Sequence, residues 1–99
     1  MTKTNINKDK IKFINLHKSF FTELNTSCSV SDKKISITDL YNEDNDTACI
    51  ELYFDNNKYS ITFWDGYSLA EKIDTDSYKE ALIQFKKYAK KLAKNLRRF

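Results

Sequence analysis

The segment IELYFDNNKYSITF, residues 50–63, decides the fold. Its apolar residues alternate with polar ones on either side of Asn56-Asn57, as a pair of half-buried strands requires. Two consecutive Asn tolerate positive φ, which a two-residue hairpin turn needs at both central positions. Closing that turn sets Phe54 opposite Tyr59, Leu52 opposite Ile61 and Ile50 opposite Phe63. All six apolar side chains then share one face, so turn chemistry and hydrophobic pattern agree on the register. The strands are expected over about Ala48–Phe54 and Tyr59–Phe63.

Upstream, Ile35 and Ile37 alternate with Ser36 and Thr38 and read as an earlier strand. Downstream, a three-residue loop Trp64-Asp65-Gly66 places the only glycine of the chain at the left-handed third position. That loop predicts a fourth strand over about Tyr67–Ile73, with Phe63 facing Tyr67 and Ile61 facing Leu69. Outside these strands the period becomes helical. From about Asn7 to Asn25, Phe13, Ile14, His17, Phe20, Phe21 and Leu24 share a face, with Leu16 on its edge and Asn5 or Asn7 as the cap. Ser77 and Glu80 match a capping box. The second helix then runs to about Arg97, with a seam of Tyr78, Leu82, Phe85, Ala89, Leu92, Leu96 and Phe99.

The expected fold is α+β, in the order α-β-β-β-β-α. A four-stranded antiparallel meander has two helices packed on one face. Ninety-nine residues build one domain, 1–99, with 1–6 as a frayed N-terminus. No stretch approaches the ~20 apolar residues of a membrane span, and no apolar signal core opens the chain. A cytoplasmic protein that does not touch membrane is the expectation. Cys28 and Cys49 are then free thiols.

Catalytic and metal chemistry find little footing. His17, the one histidine, lies on the apolar face of the first helix and reads as a core or core-edge residue. Two cysteines and one histidine have no zinc spacing. The run from Asp44 resembles a calcium loop at its start, but Cys49 occupies the glycine position and Asp55 the final glutamate position. No catalytic residue, metal site or cofactor is expected.

Charge is the remaining signal. The net charge of +3 divides into +4 for residues 1–34, −8 for residues 35–80 and +7 for residues 81–99. Two surfaces compete for a partner. One is acidic: Asp39, Glu43, Asp44, Asp46 and Asp55, with Tyr53 or Trp64 as an apolar anchor. The other is the basic face of the second helix: Lys86, Lys87, Lys90, Lys91, Lys94, Arg97 and Arg98. The sequence reading prefers the acidic set, because carboxylates can occupy phosphate sites in a nuclease groove.

The leading helix, the strand end Ile-Thr-Phe-Trp-Asp-Gly (Ile61–Gly66) and the helix start Asp-Ser-Tyr-Lys-Glu-Ala-Leu (Asp76–Leu82) together resemble a known class. They are similar to small cytosolic immunity proteins of bacterial polymorphic-toxin systems, several of which carry a Trp-acid-Gly turn before their last elements. As layout the resemblance covers most of the chain; as motif it covers those two segments. It implies a non-catalytic inhibitor that binds and occludes a larger bacterial enzyme, a nuclease or toxin domain, as a monomer or weak dimer. Phage-encoded inhibitors of defence nucleases, anti-CRISPR proteins included, share the small size, the Asn and Lys content and the lack of catalytic motifs. A nucleic-acid-binding accessory protein using the basic helix is the second choice.

Overall fold

The computed structural model describes residues 6–40, 47–66 and 70–97. A 3₁₀ turn, Ile6–Asp9, leads into α1, Lys10–Phe20; β1 to β5 follow as Thr26–Val30, Lys34–Asp39, Cys49–Asp55, Lys58–Trp64 and Ala70–Thr75, and α2 spans Tyr78–Arg97. The strands form one antiparallel sheet in the order β1-β2-β3-β4-β5. The α+β class and the antiparallel sheet are as expected, but the sheet has five strands rather than four.

The central hairpin has the predicted register: Phe54 pairs with Tyr59, Leu52 with Ile61 and Ile50 with Phe63. Its turn residues sit at φ 53° for Asn56 and 62° for Asn57. Left-handed backbone costs a residue with a Cβ about 1–2 kcal/mol, less for Asn and nothing for Gly. Asn57→Ala is therefore expected to lower stability by about 1 kcal/mol, while Asn57→Gly leaves it equal or slightly higher. Urea unfolding of both variants checks this, and equal losses would show that the turn conformation is not the cause.

The additional strand is β1, which pairs with β2 from Thr26 opposite Asp39 to Val30 opposite Ile35. Its sequence, Thr-Ser-Cys-Ser-Val, offers only Cys28 and Val30 as apolar inward residues. So thin an alternation cannot announce a strand; β2 supplies the ladder that makes it one.

The last strand needs a second correction. Ile61 pairs with Ile73 and Phe63 with Glu71, not with Leu69 and Tyr67. The strand begins at Ala70, and Tyr67, Ser68 and Leu69 lie outside the described residues. Gly66 is left-handed as expected, at φ 81°, but within a longer connection. The four-residue slip preserves the inward parity of the odd positions. It sets Ile73 opposite Ile61, partly buried against the core, and Glu71, which faces the helix side in either register, opposite Phe63 and beside α2.

One face of the sheet carries the core. Ile35, Ile37, Ile50, Leu52 and Ile61 are 0% exposed, as are Phe85, Ala89 and Leu92 of α2. α1 contributes Phe13, whose ring meets Phe85 edge-on at 5.6 Å, and Phe21 is buried just beyond the helix. Ile6, assigned by the sequence to the frayed end, is 1% exposed and belongs to this core. Residues 1–5 lie outside the described set.

Helix ends differ from expectation in detail. Asp9, not Asn5 or Asn7, is the N-cap residue of α1, and it makes no side-chain cap bond. At α2, Ser77 Oγ accepts from the Glu80 amide at 3.1 Å, the forward half of the capping box. The Ser77 amide donates instead to Thr75 Oγ1 at 3.1 Å, and Glu80 accepts from the Gln84 side chain at 2.7 Å. Among the described residues, no helix is long and apolar enough to cross a membrane.

Candidate functional site

Folding sorts the charged segments of the chain into two layers. On the helical side, Lys8, Lys10, Lys12, Lys18, Lys79, Lys86, Lys87, Lys90, Lys94 and Arg97 are all exposed. The acids on these two helical elements are Asp9 and Glu80. Asp9 is engaged, because Tyr78 Oη donates to its Oδ2 at 2.6 Å and Lys12 lies 3.7 Å from its Oδ1. Burial, and then the bond to Asp9, hold the Tyr78 phenol above its ordinary range. Like charges spaced i,i+4, such as Lys86–Lys90 and Lys90–Lys94, repel along α2 without an acid to offset them.

The cations converge at the ends of the two helices. Ser19 and Phe20 of α1 and Lys90, Ala93, Lys94 and Arg97 of α2 line an open cleft of about 310 Å³. Arg97 Nη2 donates to the Phe20 carbonyl at 2.7 Å, satisfying an acceptor at the end of α1. Lys90 Nζ stands 5.9 Å from the Phe20 ring centroid. Three cations around Phe20, one of them over its ring, suit an anionic group carrying some apolar surface. The sequence marked Lys90, Lys94 and Arg97, but Ser19 and Phe20 enter only because α1 lies beside α2.

One member of the basic set departs from it. Lys91 is only partly exposed; its Nζ bonds Glu71 Oε2 at 2.5 Å and lies 4.9 Å from the Phe63 ring centroid. Tyr88 joins the same cluster, its phenol raised by burial and by the Glu71 carboxylate. Lys91 therefore neutralises the acid that β5 turns toward α2. Arg98 lies outside the described residues.

The described members of the acidic set lie apart. Asp39 is only 9% exposed, on the helix side of β2, which corrects its reading as a surface residue. Glu43, Asp44 and Asp46 lie outside the described residues. Asp55 is exposed at the end of β3. Tyr53 and Trp64 are half-buried on the outer sheet face, where Trp64 pairs with Cys49. Acids near them are matched locally: Glu51 by Lys34 at 3.3 Å, and Asp74 by Lys72 at 4.0 Å and the Ser60 hydroxyl at 2.7 Å.

His17 occupies the core edge. Its Nε2 is hydrogen-bonded to Thr26 Oγ1 at 2.7 Å, and its ring stacks on Phe21. Burial holds it below the usual histidine range. The unfolded chain therefore binds the proton more readily, so His17 makes stability fall as pH drops below about 6.5 and level off beneath its lowered value. Urea midpoints at about pH 7.5 and about pH 5.5 test this, with His17→Gln as the reference. The wild type is expected to lose more stability on acidification than the variant; a larger loss in the variant would contradict the assignment.

Both cysteines are free and half-buried. Burial raises both thiols, and at Cys49 the Glu51 carboxylate adds to the rise while Lys34 offsets part of it. Neutral thiols are poor nucleophiles. Among the described residues, no group of three or more His, Cys, Asp or Glu side chains is placed to hold a metal ion. Comparison with known proteins gave no matching family model, no matching curated protein and no matching solved structure.

Proposed function

We propose that this chain is a non-catalytic inhibitor that binds and occludes a larger bacterial enzyme, a toxin domain or defence nuclease, in the manner of an immunity protein. The observation that carries the reading is the unbalanced cationic layer on α1 and α2, centred on the cleft of Phe20, Lys90, Lys94 and Arg97. Packing explains Lys91, and capping explains part of Arg97, but neither uses the remaining lysines. Such a surface suits an enzyme that presents carboxylates, and it steers that encounter electrostatically. These features favour a contact on the basic face over the acidic set, whose described carboxylates are a buried Asp39 and an exposed Asp55. A phage-encoded inhibitor of the anti-CRISPR type is the same physical proposal with a different origin.

The cationic cleft also favours a second reading, a nucleic-acid-binding accessory protein that uses α2. Two measurements separate the two. For an inhibitor, the tagged chain captures an enzyme from its source cells and abolishes that enzyme's activity near equimolar ratio. For a nucleic-acid binder, affinity for a duplex or single strand falls steeply and log-linearly with salt and needs no protein partner. Tight, salt-sensitive polynucleotide binding without an inhibited enzyme would overturn the first reading.

A further inference from the structure

The two edges of the sheet are built differently. β5 carries Glu71, Lys72 and Asp74, the charges with which exposed edges avoid pairing. β1 is Thr-Ser-Cys-Ser-Val and carries none. Two hydrogen bonds show which way its backbone faces. The Ser31 amide donates to the Lys34 carbonyl at 2.7 Å, and the Leu40 amide to the Asn25 carbonyl at 2.8 Å. Both are direct partners in the β1–β2 register. Hydrogen-bonded and non-hydrogen-bonded pairs alternate along an antiparallel ladder, so Ser27 and Ser29 also bond to β2. Thr26, Cys28 and Val30 then turn their N–H and C=O groups to the open edge, where no described residue meets them.

We infer that β1 is a self-association edge that pairs antiparallel with β1 of a second copy, extending the sheet through a two-fold axis at Cys28. The outward set of Thr26, Cys28 and Val30 is symmetric about Cys28. Pairing Thr26 with the partner's Val30, and Cys28 with the partner's Cys28, therefore bonds every outward group. A single self-complementary patch is what a two-fold interface requires. The absence of charge on β1 lets two copies of a net-positive chain meet there without direct repulsion.

α1 turns Asp9, Phe13 and Phe20 toward α2 and His17 toward Thr26. At about 100° per residue, Ile14 and Ile11 lie further round, on the flank away from α2. Ile11 is 70% exposed, the most exposed large apolar residue among those described.

The register specifies the test. Ser27 and Ser29 are exposed on the outer sheet face, and the proposed axis sets Ser27 opposite the partner's Ser29 in the closely spaced type of pair. Light scattering across a concentration series is expected to show the 11.7 kDa chain passing from monomer to dimer. S27K/S29K places like charges face to face and is expected to weaken the dimer at least about tenfold. S27K/S29E places opposite charges there and is expected to keep it. Circular dichroism reports whether each variant is folded, and both sites are clear of the core. The inference is overturned by a wild type that stays monomeric at about millimolar concentration. It is equally overturned by a dimer indifferent to S27K/S29K, or by one that S27K/S29E disrupts as strongly. A monomer in which S27K/S29K abolishes enzyme binding would assign the edge to a foreign strand instead.

Discussion

Replacing Phe85 by alanine is expected to lower the unfolding free energy by about 3–5 kcal/mol. Phe85 is 0% exposed, at the middle of α2. Its ring stands against Phe13 of α1 at 5.6 Å, so truncation opens a cavity between both helices and the sheet. The surrounding strands are held by their ladders and cannot collapse into that space, which places the site at the costly end of such substitutions. A domain of this size has about 5–15 kcal/mol in total, so the variant is expected to be marginally folded or unfolded near 37 °C. Urea titration followed by circular dichroism measures the loss. Lys86→Ala, one residue on and exposed, is the control and should stay within about 0.5 kcal/mol. A loss below about 1 kcal/mol at Phe85 would mean that α2 does not pack on this sheet.

The second large effect concerns binding. Lys87→Glu, Lys90→Glu and Lys94→Glu together are expected to weaken inhibition of the captured enzyme at least about a hundredfold, since like charges brought together across an interface cost several kcal/mol. All three positions are exposed. The fold should not suffer, because the reversals make the 86–90 and 87–91 pairs attractive while 90–94 stays a like-charge pair; stability is expected to stay level or rise by a few tenths of a kcal/mol. Asp55→Lys with Asp74→Lys, on the sheet side, is the matched comparison and should leave inhibition intact. Were the sheet-side variant to lose inhibition while the helix variant kept it, the contact would lie on the acidic surface that the sequence reading preferred.

Segment charge and residue placement part company at single positions. Charge counted by segment gave the right segregation, because the basic helices and the acidic sheet are continuous in the chain. It gave the wrong company for single residues. Asp39 reads as one more acid near a polar loop, yet strand parity turns it to the helix side. Lys91 reads as one of a cationic row, yet it faces the sheet and neutralises Glu71. Ser19 and Phe20 carried no functional signal until α1 came to lie beside Lys90 and Arg97.

What the sequence by itself determined is what near neighbours in the chain can decide. Asn56-Asn57 admits the left-handed turn, and a two-residue turn ties Ile50, Leu52 and Phe54 to fixed partners, so register follows from local chemistry. Ser77 with Glu80 likewise fixes the start of α2, and helical spacing marks Phe85, Ala89 and Leu92 as its buried side. Tertiary structure alone decided the rest. β1 exists as a strand because β2 offers it a ladder; its own two inward apolar residues bury too little to hold it extended. The β4–β5 pairing slides four residues from the tight-loop register, which sets Ile73 opposite Ile61 at the rim of the core. It also sets Glu71, inward by strand parity, opposite Phe63, which is tolerable only where Lys91 stands to meet it. The cost of a carboxylate at the edge of a core depends on a cation twenty residues away in sequence, and no local pattern encodes that distance.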